Sequence, residues 1–235
     1  DCYFNGETPA HLFIAEQEPN QLNSVLPGPS DSPAREQIDA LVVLYNQGEL
    51  EKVVSQASTL IEQFPRAVLL HNIMGVANKR LRRFDTAIKN YKQALKINSG
   101  LPDVHKNLGN ALQESGDLNA AVESYKRALK INPEDAKTNF SLGAALQEIG
   151  NLTAAIESYN FAIKIKPDYA QAHSNLGLAL KEKGDLLAAI ESQQRAIEID
   201  PGYAEAYNNL ANVLVMNGNL TAAIESYTRA LKIKP

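Results

Sequence analysis

Between Ala170 and Tyr203 the apolar positions fall into two helical stripes with a break between them. Ala172, Leu176, Ala179 and Leu180 recur at the spacing of one helix face. Gly184 interrupts that stripe, as a residue free to take positive φ does after a helix. Asp185 beside it suits an N-cap, whose side chain accepts a hydrogen bond from a free N–H of the next turn. Leu186, Ala189, Ile190, Ala196 and Ile197 make the second stripe, which Pro201 closes because proline cannot continue a helix. These 34 residues predict two amphipathic helices and two turns. Such a hairpin cannot bury both stripes alone, so it needs neighbours.

A shift of 34 residues recovers the same unit along the chain. The closing proline returns at Pro65, Pro133, Pro167, Pro201 and Pro235, with Ser99 at the missing step. The turn glycine returns at Gly48, Gly116, Gly150, Gly184 and Gly218, with Arg82 in the gap. The first helix carries Gly75, Gly109, Gly143, Gly177 and Ala211 in one slot, where two backbones must approach closely. The second helix carries Tyr91, Tyr125, Tyr159 and Tyr227 in another, with Gln193 as the exception. A fixed period of this length is the signature of a solenoid of stacked helix pairs, all-α and without strands. First helices are expected near 68–80, 102–114, 136–148, 170–182 and 204–216. Their partners are expected near 85–97, 119–131, 153–165, 187–199 and 221–233.

The small-residue, tyrosine, alanine and proline slots together resemble the tetratricopeptide repeat (TPR) family over residues 34–235. The family's usual tryptophan is absent; His71, His105, Asn139, His173 and Tyr207 occupy its slot. Phrases such as AHSNLGLALKEKGDLLAAIE are similar to the superhelical repeats of O-linked N-acetylglucosamine transferases. They are equally similar to bacterial repeat proteins whose arrays precede a glycosyltransferase or sulfotransferase domain. The resemblance implies a right-handed superhelical solenoid of antiparallel pairs with the first helices on the concave side. The expected organisation is a divergent repeat at 34–67, then repeats at 68–101, 102–135, 136–169, 170–203 and 204–235. In the divergent repeat Ala40, Leu41 and Leu44 should lie on one buried face, and Val53, Ala57, Leu60 and Ile61 on the other.

Residues 1–33 break the pattern. Five prolines and a closing PGPSDSP favour a loosely ordered acidic leader, with Leu12–Phe13–Ile14 its one apolar cluster. Its acids Asp1, Glu7, Glu16, Glu18 and Asp31 meet no Lys or Arg, so the repeats themselves are nearly balanced. A net charge of −4 and pI near 5.6 argue against nucleic-acid binding through a basic surface. The basic turn of Lys79, Arg80, Arg82 and Arg83 reads as a solvated turn before an anion site. The lone Cys2 leaves no disulfide framework and fits a reducing, cytoplasmic setting. No apolar run is long enough to span a bilayer, so no membrane partner is expected. The chain stops where the last second helix should end, leaving Leu210, Leu214, Ile224 and Leu231 partly uncovered. That predicts a piece of a longer protein and self-association through the last repeat.

Catalytic motifs are missing: no P-loop, dinucleotide fingerprint, HExxH or nucleophile elbow. No catalytic residue, cofactor or metal is expected. His71, His105 and His173 share a slot in different repeats, and neighbouring repeats lie on the order of 10 Å apart, too far to bind one zinc. Asn151 and Asn219 match a glycosylation pattern, but they stand in an N-cap slot that also takes Asp117 and Asp185; Asp85 is expected to cap likewise. Glu123–Arg127, Glu191–Arg195 and Glu225–Arg229 read as i,i+4 pairs on a solvated face, interrupted by Phe161.

Two functions stay open: a scaffold binding extended peptide or a partner helix in its groove, or the substrate-recruiting arm of a transferase whose catalytic domain lies elsewhere. A co-chaperone carboxylate clamp fits Lys106 and Asn110 but fails at Ser141, Gln171 and Asn175. The candidate binding slot holds Asn107, Asn175 and Asn209, interrupted by Ser141 and, earlier, Ile73. Asparagine has middling helix propensity, so its recurrence calls for a reason. Its amide offers donor and acceptor to any peptide backbone. In the transferase repeats that this chain resembles, such a ladder lines the groove. Asn110, Asn208 and Asn212 would add polar contacts, and His105, Lys106 and His173 are candidate groove-lining residues.

Overall fold

The computed structural model describes residues 32–234. The leader expected over 1–33 falls outside these residues save for its last two, as do Cys2, the Leu12–Phe13–Ile14 cluster and Pro235. Twelve α-helices and no strand occur among the described residues. The chain divides after Asp117 into two compact units.

The first unit holds α1 (Arg35–Asn46), α2 (Leu50–Gln63), α3 (Val68–Arg80), α4 (Phe84–Ile97) and α5 (Pro102–Ser115). The second holds α6 (Leu118–Ile131), α7 (Ala136–Glu148), α8 (Leu152–Ile165), α9 (Ala170–Lys183), α10 (Leu186–Ile199), α11 (Ala204–Met216) and α12 (Leu220–Ile233). Each helix packs on the next within its unit. First helices also touch one another, α1 with α3 and α3 with α5 in one unit, α7 with α9 and α9 with α11 in the other. Second helices are not drawn together in this way, so within each unit the first helices lie on the inside of the curve.

Local chemistry explains the breaks. Gly48, Gly116, Gly150, Gly184 and Gly218 take φ between 79° and 91°, the left-handed region that ends a helix without a Cβ penalty. Arg82 takes the same turn at φ 58°, the one non-glycine residue to do so among the described residues. Asn151, Asp185 and Asn219 cap the helices that follow, accepting from the N–H of Ala154, Ala188 and Ala222 at 3.2–3.3 Å. The second helices of the five closer repeats start one residue before the expected positions, and in α8, α10 and α12 the first helical residue is the leucine directly after the cap.

Three expectations are corrected. Asp85 is no cap: Arg83 holds the N-cap position of α4, and Asp85 lies inside the helix. Ala40 is exposed, because α1 presents it on a side that no described helix covers, whereas Leu41 is fully buried. The charged pairs on the second helices close at i,i+3 instead, with Glu123 on Lys126 at 3.1 Å and Arg195 on Glu198 at 2.7 Å.

The first unit's core joins Ile38, Leu41, Val42, Tyr45, Val53, Ala57, Leu70, Ile73 and Ala77. In the second, Leu210, Ala211, Leu214 and Ala223 gather Ile190, Ile197 and Tyr227 around them. Tyr91, Tyr125 and Tyr159 are wholly buried, and Tyr91 and Tyr159 fill the gap over Gly75 and Gly143.

Candidate functional site

Residues 35 apart face each other across neighbouring first helices: one period along the chain and one residue further. In the first unit this register pairs Lys79 with Glu114 at 3.2 Å, and places Arg80 on the Tyr45 carbonyl at 3.4 Å. In the second it pairs the amide of Gln147 with Glu182 at 2.7 Å. The asparagine slot obeys the same register.

Asn107 donates to Asn72 Oδ1 at 3.4 Å, and Asn209 donates to Ser174 Oγ at 3.2 Å. Asn175 has Phe140 at the position 35 residues earlier, and a phenyl ring offers no acceptor. Phe140 instead packs on Tyr159 and Tyr169, with ring centroids 5.9 and 5.1 Å away. Asn175 is therefore half-exposed, with no hydrogen bond to any described residue. Ser141 is likewise half-buried in its slot. Asn208 and Asn212 are exposed on α11, and Asn212 Oδ1 accepts from the Tyr227 hydroxyl at 2.6 Å.

The other candidates are drawn into the fold. Asn110 is buried. Lys106 is buried and bonds Asp103 at 2.7 Å. His105 sets Nε2 against the Ser99 carbonyl at 3.0 Å; His71 does the same with Pro65 at 2.9 Å and His173 with Pro167 at 3.0 Å. Asn139 fills this slot and donates from its side-chain NH₂ to the Pro133 carbonyl at 3.3 Å. In α3, α5, α7 and α9 the slot thus staples the first helix to the turn six residues before it. No three His, Cys, Asp or Glu side chains converge as a metal site would require among the described residues.

The basic turn is engaged internally as well. Arg83 forks onto Glu51 at 2.6 and 2.9 Å, and Arg80 lies 4.8 Å over the Tyr45 ring. Arg82 stands 5.5 Å over Phe84. The shallow cavity beside it, about 430 Å³, also carries Asp85 and Glu114, so its charge is mixed. Tyr169 has its phenol pushed up to about 12, first by burial and then by Asp135 and Tyr203.

Three residues escaped the sequence reading: Asn72, Ser174 and Gln193. Gln193 was visible as the exception in the tyrosine slot, but only the register of 35 exposes Asn72 and Ser174.

No described helix is long and apolar enough to cross a membrane. No curated protein matches the sequence. Among solved structures, MamA is similar at 29% identity and a TM-score of 0.66, covering 68% of this chain and 94% of that one. YrrB, described as a TPR protein with an unusual peptide-binding site, shares the fold at 21% identity and a TM-score of 0.64, covering 76% of this chain and 92% of its own. The C-terminal part of a TPR repeat-containing protein from Cytophaga hutchinsonii shares it at 16% identity and a TM-score of 0.72, covering 83% and 78%. The family model described as TPR repeat matches residues 83–116, 110–150, 148–184 and 177–218, and that described as tetratricopeptide repeat matches 204–235. These models describe the repeat and not a transferase. With matches running over more than half its length and the helix pairs in place, this chain belongs to the tetratricopeptide repeat family.

Proposed function

We propose that the chain is a non-catalytic protein-interaction scaffold of six repeats, with boundaries at 34–67, 68–101, 102–135, 136–169, 170–203 and 204–235. In the second unit an extended peptide lies along the first helices, touching Ser141, Asn175, Asn208, Asn209 and Asn212. Asn175 carries the reading. A half-exposed amide inside a helix, with middling helix propensity and no protein partner, has donor and acceptor to offer a backbone. In the first unit Asn107 presents its amide on the equivalent face. YrrB, of the same fold, is described as having a peptide-binding site, which supports the class of ligand.

The test takes the strongest binder from a randomised peptide library displayed against the chain. Asn175→Ala should leave the melting temperature unchanged and weaken that peptide by about tenfold, the size of one or two hydrogen bonds. Unaltered binding would make the slot structural.

The proposal extends to self-association through α12. Ile224 and Leu231 are 66% and 65% exposed, whereas the equivalent Ile190 and Ile197 of α10 pack with Leu210, Ala211 and Leu214. Pairing with α12 of a second copy about a two-fold axis covers both apolar stripes with a like surface.

A further inference from the structure

Within the second unit the tyrosine slot and its partner change together. Phe140 packs on Tyr159; one period later Ser174 faces Gln193 at the same separation. An aromatic pair in one repeat stands where the next repeat has a polar pair. Gln193 is 0% exposed and Ser174 1%. Burying these groups is costly unless each is bonded, and each is.

Counting protons orients the whole chain of bonds. The Ser174 carbonyl can only accept, so the group 2.8 Å from it is the amide nitrogen of Gln193. That turns Gln193 Oε1 towards the Ser174 hydroxyl, 3.0 Å away. Oε1 also only accepts, so the single hydroxyl proton goes to it. Ser174 Oγ must then accept from Asn209, and Asn209 turns its NH₂ inward at 3.2 Å. Its Oδ1 is left facing away from Ser174, with no donor among the described residues. The Asn107–Asn72 pair has no such anchor: two amides meet at 3.4 Å and can flip together.

We infer that Gln193 and Ser174 are positioning residues that fix Asn209 as an outward acceptor, so that this point of the peptide track takes an N–H donor from the ligand. The inference rests on the peptide reading above and adds its polarity. The donor is a backbone N–H or a lysine or arginine side chain, and the two are separable by experiment. A proline in the peptide cannot serve at this point.

Two measurements test it. In the free protein, Ser174→Ala should shift the side-chain NH₂ resonances of Asn209 and speed their exchange with water, and Ser174→Thr, which keeps the hydroxyl, should restore them. Gln193→Tyr, with the residue that fills this slot in the other pairs, is the second route if Ser174→Ala does not fold. For the ligand, the library-selected peptide is scanned by backbone N-methylation and, separately, by replacing each Lys or Arg. One position should lose about tenfold on the wild-type chain and nothing further on Asn209→Ala or Ser174→Ala. N-methylation identifies a backbone donor; side-chain replacement identifies a cationic one. Unmoved Asn209 resonances, or a scan identical on wild type and Ser174→Ala, would overturn the positioning role while leaving the peptide reading standing. Failure to select any peptide would overturn the peptide reading and this inference with it, even with the Asn209 resonances shifted as expected.

Discussion

Tyr159 packs against Gly143, so close that a Cβ on the glycine would come within 2.7 Å of the ring. The two belong to α7 and α8, and their contact holds that pair together. Where Ala211 replaces the glycine, the matching Tyr227 is only half-buried.

Gly143→Ala should destabilise the chain. Overpacking of a dense core costs about 1–3 kcal/mol, and alanine's helix propensity returns up to ~1 kcal/mol of that. A net loss of about 1–2 kcal/mol in denaturant unfolding is expected. No loss would mean that the ring moves aside freely.

Arg82→Gly should act in the other direction. A left-handed residue with a Cβ costs about 1–2 kcal/mol, and glycine makes the same turn five times among the described residues. Part of the gain is lost to glycine's freedom in the unfolded chain, so a net rise of about 1 kcal/mol is expected. A fall would show that the stacking of Arg82 on Phe84 outweighs the backbone.

The buried phenol of Tyr169 predicts a loss of stability at high pH. Its value in the fold, about 12, lies above the ~10 of an unfolded tyrosine. Between those values the unfolded chain gives up the proton and the folded one keeps it, so stability falls as pH rises through the window from 10 to 12. Tyr169→Phe should flatten that fall relative to wild type in thermal melts across the window. Parallel curves would contradict the assignment.

Self-association has its own signature. Wild-type chain should sediment with a concentration-dependent mass, and Ile224→Lys with Leu231→Lys should hold it at the monomer. Both positions are largely exposed, so the double substitution should leave the fold intact. A wild type that stays monomeric at every concentration would remove α12 as an interface.

Some of this protein could be read directly from its sequence. Helix positions, the turn glycines, the caps at Asn151, Asp185 and Asn219, and the small-residue and tyrosine slots all recur at one period. Each is decided by neighbours within a single hairpin, where backbone geometry and side-chain periodicity act locally. Contacts between successive first helices are different. They depend on how one pair is rotated against the next, and this places residues 35 apart in register. That register leaves Asn175 without a partner because Phe140 stands opposite, and gives Asn209 one because Ser174 does. His71, His105 and His173 are bound locally, each to the carbonyl six residues before it, and so owe nothing to that register. The sequence determined the repeat and its elements; which face of each polar side chain remains for a ligand was decided by packing between helices, where a buried donor or acceptor must find its partner.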